Sequence, residues 1–260
     1  MGCLGIAFWI TAIAVVYGQY PPYSAGPAYP NPGQPPLYPG QNPGPVYHQC
    51  LPRPILTCGP DRNYYDPNIL KGTWYIYRHL LTGVNGINRI YRTTILATTS
   101  MPGMTNIPAV AQRTAISWYP TSNDTTCSSM DFLGFIAWNG IQVVDVYQDV
   151  RPITTRTYCT VYLNQDQGLW ILYRCEQPNL STQSCDVPHV DVRVRQNPKD
   201  FPPGKAAQID NLLNQLFGPF CILAEQIPLC EYTASKPDCP ENPPTPDEQR
   251  KIDGMAATKA

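Results

Sequence analysis

With 260 residues, 18 basic and 19 acidic side chains and a net charge of −1, the chain has no basic block that would displace counterions from a nucleic-acid backbone, which excludes that class of partner. Charged residues make up 14% of the chain, against about 25% in an ordinary globular domain, and much of the shortfall lies in one segment. The length admits one large β domain or two small ones, so the hydrophobic pattern has to decide.

Leu4 to Tyr17 is an apolar run of fourteen residues followed by Gly18. It is too short to cross a bilayer and ends on a small residue, so residues 1–18 read as a secretory signal. No later segment has the length and hydropathy of a membrane span, and a secreted, extracellular protein is expected. Residues 19–49 contain no Asp, Glu, Lys or Arg, while ten of the thirty-one are proline and five are tyrosine (Tyr20, Tyr23, Tyr29, Tyr38 and Tyr47). So little aliphatic surface cannot offset ordering entropy, and a disordered arm of polyproline II character is expected, at most about 95 Å long at ~3.1 Å per residue. It is either a spacer or an adhesive arm whose tyrosines stack or crosslink.

Nine cysteines follow the signal: Cys50, Cys58, Cys127, Cys159, Cys175, Cys185, Cys221, Cys230 and Cys239. None forms a C-x-x-C pair, so disulfides are expected rather than a zinc ribbon or a redox motif. The odd count leaves at least one thiol free or bonded to another chain. Asn123-Asp124-Thr125 and Asn179-Leu180-Ser181 are N-glycosylation acceptors, of use only in an exported chain.

Residues 50–239 read as the folded domain. Short strand-like runs succeed one another across Trp74–Leu81, Ile90–Ala97, Ala109–Tyr119, Thr157–Leu163, Leu169–Cys175 and Val187–Val194, with a hairpin in Met130–Val150 centred on Asn139-Gly140. A two-residue turn there would pair Trp138 with Ile141 and Ile136 with Val143. It leaves Leu133, Phe135, Ala137, Gln142, Val144 and Val146 on a face without charge, which is assigned to the interior. No helical pattern separates these runs, so an antiparallel sheet, closed on itself or folded into a sandwich, is expected. Ile209, Leu212, Leu213, Leu216 and Phe217 then form one apolar stripe at helical spacing, predicting a helix over 203–217 on the outside of the sheet. The proline-rich tail, 240–260, is expected to be disordered.

Catalytic signals are few. His48, His79 and His189 show no two-histidine metal spacing, and the chain has neither Gly-x-Ser-x-Gly nor a phosphate-binding glycine loop. An enzyme is therefore not expected, nor a cofactor or a metal. Cys127 and Cys159 read as disulfide halves and His79 as a surface histidine.

Gly72-Thr73-Trp74-Tyr75 opens the first strand, Leu169 to Cys175 ends in Tyr-x-Cys, and Val194-Arg195-Gln196-Asn197-Pro198 precedes the helix. This order resembles the lipocalin family, particularly its apolipoprotein D-like members, over residues 58–232. The resemblance implies an eight-stranded up-and-down barrel with one carboxy-terminal helix outside. It also implies closure of the base by Gly72, Trp74 and Arg195, and a Cys58–Cys175 bridge. The family's second motif, Thr-Asp-Tyr, has only polar counterparts at Asn164-Gln165-Asp166. A barrel of this width encloses one small ligand, and Leu133, Phe135, Val144, Val146, Tyr91 and Trp118 are the candidate lining. The function expected is a secreted carrier of a small hydrophobic molecule, such as a pigment, lipid or sterol-like compound. The alternative is a structural protein of an extracellular matrix, shell or adhesive secretion, crosslinked through residues 19–49 or the unpaired cysteine.

Overall fold

In the computed structural model of the protein the sheet is built from β1 (Gly72–Leu80), β2 (Ile87–Met101), β3 (Met104–Tyr119), β4 (Ser128–Ala137), β5 (Ile141–Gln148), β6 (Arg151–Asn164), β7 (Leu169–Asn179) and β8 (Ser184–Val194). Residues 50–55, 66–80, 87–101, 104–138, 140–148, 151–241 and 243–257 are described. The signal segment, the tyrosine-rich arm and Cys58 lie outside them. Each strand pairs antiparallel with the next, and β8 returns to pair with β1, giving a closed barrel. Closure leaves no strand edge to template association with another chain.

Period-two alternation along closed strands separates an inner from an outer face. Trp74, Ile76, Tyr91, Val110, Ile116, Phe132, Ile136, Tyr158, Trp170 and Leu172 come from six strands and meet in one cluster, which is the barrel interior. Tyr77, Ile171, Tyr173, Val190, Val192 and Val194 point the other way, onto α1 (Lys205–Phe217), and pack against Ile209, Leu213 and Phe217. The helix begins two residues later than the sequence suggests, because Gly204 takes a positive φ of 86° and sets its start. Arg78 fixes the helix to the wall by a two-pronged contact with Asp210 at 2.8 and 2.7 Å.

The β4–β5 hairpin corrects the expected register. Phe132 pairs with Val146, Gly134 with Val144 and Ile136 with Gln142, one residue away from the two-residue turn. Trp138 leaves the ladder to donate from its backbone N–H to Pro108 O at 3.1 Å, and Gly140, at φ 84°, donates to Ala137 O at 3.0 Å. The loop is therefore one residue longer, and a one-residue slip exchanges the faces of one strand. Leu133 and Phe135 are on the outer face, Phe135 clustering with Ala109, Ala137 and Ile141. They do not line the interior. Val144 and Val146 stand opposite the interior positions Gly134 and Phe132.

Cys175 bonds to Cys185 across the β7–β8 hairpin, with Cα atoms 5.7 Å apart, so the implied Cys58–Cys175 bridge does not exist. Ten residues of hairpin already bring Cys185 within disulfide reach. Cys50–Cys221 and Cys127–Cys239 tie the chain ends to the barrel, and Cys159 is also disulfide-bonded. Cys230 is a free thiol. It packs against the inner cluster, an awkward position for bonding a second chain.

After α1 the chain returns to the barrel. Pro228 to Thr233 forms a strap over β1 and β2: His79 N–H donates to Pro228 O at 3.0 Å, Cys230 N–H to Tyr77 O at 3.0 Å, and Asn88 N–H to Glu231 O at 2.8 Å. The Tyr232 hydroxyl donates to Ile76 O at 2.8 Å and lies 2.5 Å from Arg89 O, joining the two strands beyond their own ladder. Pro246–Ala257 is a second helix, α2, rather than disordered chain. Its proline stands at the first helical position, where a missing N–H costs nothing.

Candidate functional site: the barrel base and a buried polar column

The base is assembled around Arg195. Its Nη1 donates to Thr73 O at 2.9 Å, and its Nη2 to Ile69 O at 2.7 Å and Lys71 O at 2.8 Å. The guanidinium carbon sits 3.8 Å from the centre of a Trp74 ring, a cation–π contact worth about 0.5–2 kcal/mol. Two glycines make room for it. A Cβ on Gly72 would stand 3.1 Å from Arg195 Nη1, and one on Gly168 only 2.7 Å from Arg195 Cβ. Beneath the guanidinium, Trp74 donates from Nε1 to Leu70 O at 2.8 Å and meets Trp170 edge-on at 5.4 Å.

Above the base, one side of the interior is polar. On β8 the alternation that sends Val190, Val192 and Val194 under α1 sends His189, Asp191 and Arg193 inward. Because α1 covers this wall, the valines are buried outside and the charged stripe has to face the lumen. Arg193 spreads 3.8 Å from the Tyr91 ring centre and 4.5 Å from that of Trp170, and grips Asp191 Oδ2 through Nε at 2.9 Å and Nη2 at 2.7 Å. Asp191 Oδ1 lies 3.6 Å from His79 Nδ1, too long for a hydrogen bond. His79 meets His189 edge-on at 4.7 Å. Arg174 reaches His189 Nδ1 at 3.2 Å, lies 5.1 Å from the Tyr158 ring centre and ion-pairs with Glu176.

Burial alone would push the Asp191 carboxyl up, yet the Arg193 charge, helped by His79, holds it well below the usual carboxylate range. Burial and the neighbouring His79 push His189 well below the ordinary histidine value, so its ring is neutral. Burial also raises the Tyr91 and Tyr232 phenols, which stay protonated.

His79 is 5% exposed, so it is not the surface histidine expected. Barrel closure brings it to His189, 110 residues away in sequence, and to Asp191. These three offer ligand atoms within 4.8 Å of one another, the metal-like cluster among the described residues. Arg193 holds one Asp191 oxygen and Arg174 donates to His189, so the cluster lies in the field of two guanidinium groups, which disfavours a dication. The alternating stripe His189-x-Asp191-x-Arg193 was visible in the sequence. Its direction was not.

Of the predicted lining residues, Tyr91 is inside, under Arg193, and Trp118 packs at the edge of the inner cluster. Val144 and Val146 pair in the β4–β5 ladder with Gly134 and Phe132, whereas Leu133 and Phe135 are outside. Asn123 is exposed in the β3–β4 connection. Asn179 ends β7, where its Oδ1 accepts from the Ser181 N–H at 3.2 Å and hydroxyl at 2.6 Å.

The sequence matches no protein-family model and no curated protein. Among solved structures the chain is similar to insecticyanin from the tobacco hornworm Manduca sexta, at 15% identity and TM-score 0.48, covering 74% of this chain and 89% of that one. It is also similar to the cockroach major allergen Per a 4, at 12% identity and TM-score 0.42 (68% and 95% covered). Apocrustacyanin C1 matches at 10% identity and TM-score 0.43 (71% and 91% covered). Eight strands in sequence order closed into one barrel, a Gly-x-Trp entry stacked under Arg195 and a helix laid outside after the last strand give this chain the fold of the lipocalin family.

Proposed function

We propose that the protein is an extracellular carrier that takes one small, largely apolar molecule into the barrel. The observation that supports it best is a concave inner wall bearing Ile76, Tyr91, Val110, Ile116, Phe132 and Ile136 over a base sealed by Trp74 and Arg195. Closed eight-stranded barrels of this kind hold a single guest, and apolar burial drives entry at ~25 cal/mol per Å². The disulfides Cys50–Cys221, Cys127–Cys239 and Cys175–Cys185 suit an oxidising compartment, with glycans proposed on Asn123 and Asn179. No described helix is long and apolar enough to cross a membrane. Binding rather than conversion is favoured because Cys127 and Cys159 are disulfide-bonded and burial pushes the Cys230 thiol up to about 12, leaving these thiols poor nucleophiles.

The test is titration of the native protein with fluorescent polyene and retinoid probes, read by probe emission and by quenching of Trp74, Trp118 and Trp170. A saturable signal that unlabelled apolar ligands displace is expected. Probes that partition without saturation would overturn the reading.

A further inference from the structure

The polar column contains more hydrogen-bond donors than acceptors. Arg174 carries no acceptor, so its Nη2 must donate to His189 Nδ1 at 3.2 Å. The neutral His189 ring then keeps its proton on Nε2, and that atom has no partner. Arg174 Nε and Arg193 Nη1 are likewise buried without an acceptor. Against these donors stand the unfilled acceptors Asp191 Oδ1, 3.6 Å from His79 Nδ1, and Gln142 Oε1, on the strand position paired with Tyr158, while the unpartnered His79 ring adds one donor and one acceptor, so donors remain in excess. The residues are 2% exposed for His189, 7% for Arg174 and 3% for Arg193. Each unfilled donor at such depth costs about 1–3 kcal/mol, more when it belongs to a charged group. The charges point the same way, since Asp191 is committed to Arg193 and Glu176, at the rim, to Arg174.

We infer that the barrel selects ligands with a single anionic head, a carboxylate or a group of similar size, received by His189, Arg174 and Arg193 while the apolar body lies on the inner wall. A carboxylate brings two oxygens with room for about four donors, and it meets donors already held in place: Arg193 by Asp191 and the Tyr91 and Trp170 rings, Arg174 by Glu176 and Tyr158. A divalent cation on His79, His189 and Asp191 is the competing occupant. It would need His189 to give up the hydrogen bond from Arg174 or the proton on Nε2, and would sit among guanidinium groups.

The inference rests on the carrier reading, and three matched probes separate the two: a fluorescent long-chain polyene carboxylic acid, its methyl ester and the corresponding alcohol, each titrated into the full disulfide-bonded chain. The acid is expected to bind at least tenfold more tightly than ester or alcohol. Arg174→Met and His189→Phe, which keep the bulk and remove donors, should each weaken the acid roughly tenfold or more and leave the ester unchanged. Equal binding of acid and ester, or equal losses for both in the variants, overturns the anionic subsite and leaves the carrier reading standing. No saturable binding by any probe overturns both. Tight binding of Zn²⁺ alone, abolished by His189→Phe and strengthened by Arg174→Met, would make the cluster a metal site and overturn the inference.

Discussion

Gly168→Ala tests how the base is built. Gly168 has φ +59° and Gly204 has φ +86°, so alanine at either site meets left-handed backbone strain of about 1–2 kcal/mol. At Gly204 a Cβ meets nothing within 4 Å, whereas at Gly168 it would stand 2.7 Å from Arg195 Cβ and 2.9 Å from Arg195 Cγ. Those atoms cannot withdraw, because Arg195 N–H is bonded to Gly168 O at 2.8 Å and its guanidinium to three carbonyls. Overpacking of this kind costs about 1–3 kcal/mol, so Gly168→Ala should cost about 2–5 kcal/mol in all and Gly204→Ala about 1–2. For a domain of this size the first corresponds to a fall in Tm of roughly 4–20 °C. Urea titrations of both variants, compared at unchanged m-value, give the two figures. In an Arg195→Gly background, which removes both Cβ and Cγ, the excess cost at Gly168 should vanish. Equal destabilisation by the two glycine substitutions, or an undiminished Gly168 cost without Arg195, would refute the packing argument.

Arg195→Lys should itself cost about 2–4 kcal/mol, since an ammonium cannot serve three carbonyls and a ring face together; chemical denaturation measures it. Stability should fall on acidification in two stages. His189 has a folded pKa below its unfolded value near ~6.5, so the unfolded state takes up the proton first and stability declines from about pH 6.5 downward. Asp191, also depressed when folded, adds its loss below about pH 4. Thermal melts against pH should show both stages, and His189→Gln should flatten the upper one. Tyr232→Phe removes the hydroxyl shared by Ile76 O and Arg89 O and should cost about 1–3 kcal/mol, with faster amide exchange at His79, Asn88 and Cys230. Non-reducing peptide mapping should recover Cys175 linked to Cys185.

Much of the architecture was legible because its signals are local. Period-two runs such as Val187 to Val194 mark strands wherever they pair, and the stripe Ile209, Leu213, Phe217 marks a helix whatever it covers. The Gly72-x-Trp74 entry and Arg195 could be named from their flanking residues. The interior of the carrier could not. Whether the valines or the charges of β8 face the lumen depends on α1 covering that wall, and the β4–β5 register turned on Trp138 choosing Pro108 as its partner.

The sequence by itself determined the run of strands and the amphipathic helix that packs on the barrel, because each is written in the spacing of neighbouring side chains, while the residues of the base were implied by the family resemblance. Only the tertiary structure decided which cysteines pair, which hairpin residues face inward, and that His79 meets His189 and Asp191. Those outcomes depend on contacts between residues far apart in the chain. They are fixed when the barrel closes, and a one-residue shift in any pairing would have inverted them.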